Sequence, residues 1–252
     1  MTNSYGSLCD DFYFDMYVNT ELELPAQRDT ILSFFERVQK QYPSMGNFYR
    51  RAKDEYFLEE DSSTGQFSWL GLETDRIGCG AMNPLDIEHV CAKDKFILDM
   101  IPYMLGVNYL DIDCVDVVFG MDFSCKGNHD EIIAEAFLKE SAFNSLLDMP
   151  QSKVVDFSPM MTVSLSQDNL TQARIKVESK TSVFEPGKGK DKTEDAISLY
   201  VTIRQYPASD KRFDSIASFD SQYEILDNLM AEKIIGNFVK PLTDVIAHRN
   251  LS

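Results

Sequence analysis

Three histidines, a set of aspartates in apolar surroundings and one segment rich in glycine and lysine are the parts of this chain whose chemistry must be weighed first. His89, His129 and His248 have no second ligand at a recognised metal-binding spacing. His129 falls within Asn128-His129-Asp130-Glu131, which reads as a helix start: Asn128 caps, Glu131 reaches back, and the histidine faces solvent. His248 sits in the last turn of a helix, where a cation suits the dipole. His89 shares a helix with Asp86 and Lys93, one turn either side, which reads as a solvated charged face. No metal ligand and no cofactor is expected.

The acidic residues are stronger candidates. Tyr13, Asp15 and Tyr17 share one face of an alternating strand, while Asp111, Asp113, Asp116 and Asp122 punctuate an otherwise apolar one. An Asp buried between sheet and helix is costly unless hydrogen-bonded, and a raised pKa would suit it to general acid–base work. The competing reading turns these carboxylates to water at strand ends or bulges. Tyr13, Asp15, Tyr17, Asp113 and Asp116 are therefore the candidate ligand-binding residues. None is assigned a catalytic role, because neither a nucleophile elbow nor a His/Glu zinc helix accompanies them.

The segment 184–193 carries Gly187, Gly189, Lys188, Lys190 and Lys192, but lacks the spacing and the Gly-Lys-Ser/Thr ending of a phosphate loop. It reads as a hairpin tip with a local basic patch, able to meet an acidic partner or the chain's own acidic surface.

These residues need elements to position them. Alternation over 11–19, with Phe12, Phe14, Met16 and Val18 on one face, predicts a half-buried strand. Pro25 opens a helix whose stripe is Ile31, Phe34, Phe35, Val38 and Tyr42. Strands follow at 48–60 and 66–81, then a helix capped by Asn83-Pro84 and running to 105, with Pro102 inside it and Gly106 ending it. A long strand at 109–124 has apolar residues on both faces. Beyond it come a helix at 129–148 broken near 139–141, strands at 153–166, 171–183 and 196–206, and a last helix from Phe219 in which Gly236 and Pro241 allow bending.

The order repeats. Strand, helix, strands and helix over 1–106 recur over 107–252, and 57–61 and 67–73 overlay on 163–167 and 173–179. The expected fold is α+β, with two tandem similar halves, each a curved antiparallel sheet packed by long helices, the pair forming one compact unit; an ordinary single sheet with helices on one face is the alternative. The outline resembles duplicated sheet-and-long-helix proteins of the helix-grip or saddle type, a likeness of architecture that does not fix function.

Composition narrows the function classes. The chain has 252 residues, 24 Lys+Arg against 41 Asp+Glu, and a net charge of −17, so its average surface repels phosphate and no nucleic-acid partner is expected. No run reaches the roughly 20 uncharged apolar residues of a membrane span, and no signal-like segment opens the chain, so a cytoplasmic protein without membrane contact is expected. Cys9, Cys79, Cys91, Cys114 and Cys125 are an odd set without paired spacing, expected as free thiols. Abundant aromatics, notably Tyr13, Tyr17, Trp69 and Tyr200, either fill the core or line a cleft or dimer face. The missing catalytic constellation weighs against an enzyme without deciding the matter. The expectation is a non-enzymatic binding or assembly protein acting through homo-oligomer or other protein contacts. A small-molecule-binding enzyme or sensor, with a pocket at the seam between the halves, is the alternative.

Overall fold

A computed structural model describes residues 4–139, 141–179, 196–209 and 211–250. The segment 184–193 lies outside them. Among the described residues nine strands form one antiparallel sheet: β1 (Asp11–Thr20), β2 (Asn47–Ala52), β3 (Glu55–Glu59), β4 (Phe67–Leu72), β5 (Arg76–Met82), β6 (Ile112–Ser124), β7 (Met160–Ser164), β8 (Thr171–Ser179) and β9 (Ala196–Gln205). Their order across the sheet is β2-β3-β4-β5-β1-β6-β9-β8-β7. The helices are α1 (Arg28–Gln41), α2 (Ile87–Met104), α3 (His129–Phe137), α4 (Asn144–Leu147), α5 (Ser215–Leu229) and α6 (Lys240–Asn250), with a π-helical stretch, Met230–Val239, joining α5 to α6. None of the described helices is long and apolar enough to cross a membrane.

The period-two pattern of β1 sorts its side chains as expected. Phe12, Phe14, Met16 and Val18 are buried in a core shared with Ile31, Phe34 and Val38 of α1, Ile97 and Ile101 of α2 and Phe219 and Leu226 of α5. Tyr13, Asp15, Tyr17 and Asn19 point to the opposite face. At the centre of the sheet β1 pairs with β6 along almost its whole length, from Asp11 opposite Asp122 to Asn19 opposite Cys114, with a register shift at Asn19/Thr20. Beside β1 lies β5, the strand that precedes α2; beside β6 lies β9, the strand that precedes α5.

Several local expectations need correction. The region 48–60 is a hairpin rather than one strand, because Lys53-Asp54 forms a turn with Asp54 at φ 59°. Likewise 66–81 is the β4–β5 pair. Asn83 does not cap α2; Asp86 does, accepting from Glu88 N, while Asn83 accepts from Phe12 N and donates to Asp11. Gly106 ends that helix with φ 71°, as expected. Asn128 caps α3, but Glu131 pairs with Arg249 rather than reaching back. The expected strand at 153–166 is confined to β7, and the last helix begins earlier, at Ser215 capped by Asp214.

Two polar side chains reach from the long helices into the sheet. Gln222 of α5 donates from Nε2 to Val115 O and to Ile203 O, each at 2.7 Å. Lys93 of α2 donates from Nζ to Gly80 O at 2.5 Å. Lys93 is only 1% exposed, so the expected solvated face around His89 is half right: His89 is exposed and meets the Tyr42 ring edge-on, but Lys93 faces the core. Its neighbour Asp94 is also buried, with Oδ1 accepting from Cys79 Sγ at 3.2 Å and Oδ2 without a hydrogen-bond partner. Burial lifts the Asp94 carboxyl to about 6, with Lys93 at 4.0 Å and the Cys79 hydrogen bond pulling the other way.

Candidate functional site

Four of the five residues picked from sequence meet on the sheet face that carries no helix. Tyr13, Asp15 and Tyr17 alternate along β1, and Asp116 stands directly opposite Tyr17 on β6. Residues opposite one another on antiparallel strands share a face. The fifth, Asp113, sits beside the register shift at the start of β6, where its Oδ2 accepts from Cys114 Sγ at 3.4 Å. None of these carboxylates is sandwiched between sheet and helix; that position belongs to Asp94.

The face is built by exchanging glycines for rings. A Cβ on Gly78 would stand 2.8 Å from the Tyr17 ring and 2.9 Å from Trp69, and one on Gly80 would fall 2.0 Å from Asp15 Oδ1. Bare backbone on β5 thus lets Tyr17 and Trp69 lie flat across it. Tyr49, Phe57, Trp69 and Tyr17 form a row with centroid spacings of 5.8, 6.4 and 5.9 Å. The Arg51 guanidinium lies 4.3 Å from the centroid of Phe57, and Arg76 lies 5.1 Å from that of Tyr17.

The polar groups on this face are engaged with one another. Trp69 Nε1 donates to Asp15 Oδ1 at 3.1 Å. Asp122 accepts from Tyr13 Oη at 2.8 Å and from Ser198 Oγ at 2.6 Å. Asp116 takes both arms of the Arg204 fork, at 2.7 and 2.6 Å, and a longer contact from Asn19 at 3.4 Å. That hydrogen-bonded carboxylate drives the guanidinium pKa further up. Burial, then the Asp122 hydrogen bond, pushes the Tyr13 phenol well above its ordinary value; burial, then the Asp15 charge, does the same to Tyr17. Both phenols stay protonated rather than act as bases, and Tyr13 donates to Asp122. Burial raises the Cys9, Cys91 and Cys114 thiols to about 12, so these three are not thiolates at neutral pH. The arrangement is an ordered aromatic and ion-paired surface that can bind and orient but holds no activated nucleophile. Among the described residues no group of three His, Cys, Asp or Glu is placed to hold a metal ion.

Sequence reasoning missed Trp69 as the partner of Asp15, and Ser198 and Arg204 as the partners of Asp122 and Asp116, since only sheet register brings them together. His129 was also misplaced: it is 2% exposed, with Nδ1 3.0 Å from Ser179 Oγ and Nε2 3.2 Å from Cys125 O. Where α2 ends and α5 begins, a cavity of about 470 Å³ opens on the helical face, lined by Val18, Tyr103, Tyr109, Arg212 and Asp214 among others. Asp15 and Asp116 lie on the opposite side of the sheet, and Asp113 does not line the cavity, so the expected carboxylates do not serve it.

No family model matches the chain, and no curated protein matches it. Among solved structures, a di-domain ARO/CYC protein, StfQ from the steffimycin biosynthetic pathway, is similar over 94% of this chain and 99% of its own, at 10% identity. Its TM-score of 0.23 is too low for that likeness to carry any argument about fold or activity.

Proposed function

We propose that this protein works by binding another polypeptide rather than by catalysing a reaction, and that it docks through the apolar flank at 143–165. One observation supports this reading. Phe143, Leu146, Met149, Val155, Met160 and Met161 are each between 54% and 87% exposed, and every residue of β7 is exposed. Monomeric soluble proteins rarely leave more than a few hundred Å² of contiguous apolar surface to water. At the opposite end β2 is also mostly exposed, but there Phe35 of α1 packs on Phe48 at 5.1 Å between centroids.

The same asymmetry fits a chain made of two tandem copies of one unit, 1–106 and 107–252, whose central strands are β1 and β6. On that reading α1 and α3 are counterparts. With only nine residues, α3 leaves the far edge of its half without a cover.

A photo-crosslinking residue placed at Val155 tests the proposal in lysate of the native cell, with the same residue at the exposed Lys53 as control. Specific crosslinked species from 155 and not from 53 are expected. Identical patterns at both positions, or none from 155, would refute it.

The cavity between α2 and α5 supports a second reading, a small organic ligand held where the two units meet. Arg212 lies 5.5 Å from the centroid of Tyr109 beside it, giving a cation and a ring at the rim. Metabolites that raise the melting temperature of the wild type but not of Arg212→Ala would favour this reading; a flat thermal-shift screen would count against it.

A further inference from the structure

We infer that the partner seated on the β7 edge is a second copy of this chain, joined by antiparallel β7–β7 pairing about a two-fold axis at Thr162. The inference rests on the docking reading above and names its occupant. Three observations converge on it.

The first is hydrogen-bond parity. Leu165 N donates to Thr171 O and Val177 N donates to Pro159 O, so the odd-numbered residues of β7 are the ones bonded to β8. In an antiparallel ladder the bonding direction alternates, so the main-chain groups of Met160, Thr162 and Ser164 point out of the sheet. A two-fold axis at Thr162 sets Thr162 against its own mate and Met160 against Ser164 of the other copy. All three pairs are then hydrogen-bonding pairs, giving six bonds. The same axis places Met161 against Val163 of the other copy, twice, on the face that carries the helices.

The second is charge. On a chain of net charge −17, two copies meet most easily where charge is absent, and 157–165 holds no charged residue over nine positions. The other edge is guarded. β2 carries Arg50 and Arg51 and an irregular register between Arg50 and Ala52, devices that deter edge pairing. β7 has neither a charge nor a register shift.

The third is area. On β7 itself Met160, Met161 and Val163 are 62%, 65% and 38% exposed, apolar surface that pairing would remove from water. Pairing through β7 alone consumes one edge per copy and closes as a dimer.

Sedimentation equilibrium of the full chain from 0.1 to 100 µM tests this (a range of about three decades, spanning typical dimer affinities). The wild type is expected as a dimer. Thr162→Pro deletes one outward N–H per copy at a position where β8 makes no bond, and should weaken the dimer about thirty-fold. Met161→Lys, which leaves the main chain intact, should weaken it as well. Mild oxidation should crosslink Thr162→Cys dimers, and should crosslink Ser164→Cys far less, because position 164 faces Met160 of the mate rather than its own counterpart. A monomer throughout the range, a dimer unaffected by both edge variants, open-ended polymers, or stronger crosslinking at 164 than at 162 would each overturn the inference. A monomer whose residue 155 still crosslinks to a different polypeptide overturns self-pairing and leaves the docking reading standing; a monomer with no crosslinks removes both.

Discussion

Asp94 gives the most direct check on the interior of this fold. Its carboxyl is buried between α2 and β5, with one oxygen held by Cys79 and the other unpartnered, and its pKa is raised from 3.8 to about 6. The folded state therefore holds this proton more tightly than the unfolded chain does. Well below the unfolded value of 3.8 both states are protonated and Asp94 carries no penalty. Between the unfolded and the folded pKa, roughly pH 4 to 6, the unfolded chain ionises first and stability is lost at about 1.4 kcal/mol per pH unit. Above pH 6 the loss levels off at about 3 kcal/mol. Asp94→Asn keeps the shape and cannot ionise. Urea unfolding followed through Trp69, the one tryptophan, would give both stabilities at fixed protein concentration from pH 4 to 7.5 (a window around the two pKa values). Any constant cost of the amide cancels when the two curves are subtracted. The wild type should lose about 2 kcal/mol relative to the variant on going from pH 4 to pH 7, most of it below pH 6. Parallel curves, or a wild type that gains on the variant as pH rises, would refute the buried, ionisable assignment of Asp94.

Other substitutions probe the uncovered sheet face and one helical position. Gly80→Ala should cost about 2–3 kcal/mol and shift Trp69 emission, since the added methyl would meet Asp15, Phe14 O and Trp69 within 2.9 Å. Gly236→Ala meets nothing within 4 Å and should raise stability by about 0.5–1 kcal/mol, measured by the same urea titration. Arg204→Ala should cost about 2 kcal/mol at pH 7, because it strands the nearly buried Asp116 carboxylate, with water reaching the pair well enough to soften the penalty of a fully buried one. A double-mutant cycle with Asp116→Ala should recover most of that loss; full additivity would show that the two side chains do not interact.

Local pattern determined more of this protein than its chemistry. The alternation of Phe12, Phe14, Met16 and Val18 was enough to place Tyr13, Asp15 and Tyr17 together on the other face, because a strand's period of two leaves its side chains no other choice. Helical spacing likewise fixed the stripes of α1 and α2, and it contained one signal that went unread. Asp94 stands at the buried position between Val90 and Ile97, and its charge argued against a place that the period had already assigned. The caps show how narrow such inference is: Asn128 took its predicted role, whereas Asn83 spends its side chain on Phe12 and Asp11, partners 71 and 72 residues away.

What tertiary structure alone decided is who stands beside whom across the sheet. Asp116 acquires Arg204 and Asp122 acquires Ser198 across neighbouring strands, and Asp15 acquires Trp69 across β5, all fixed by topology. A chain read one residue at a time does not carry that order. The lone edge of β7 was equally hidden, since a strand's own residues do not say whether it will have one neighbour or two. Periodicity is a property of short segments and survives in the sequence; strand adjacency and edge exposure belong to the assembled sheet, where contacts span a hundred residues.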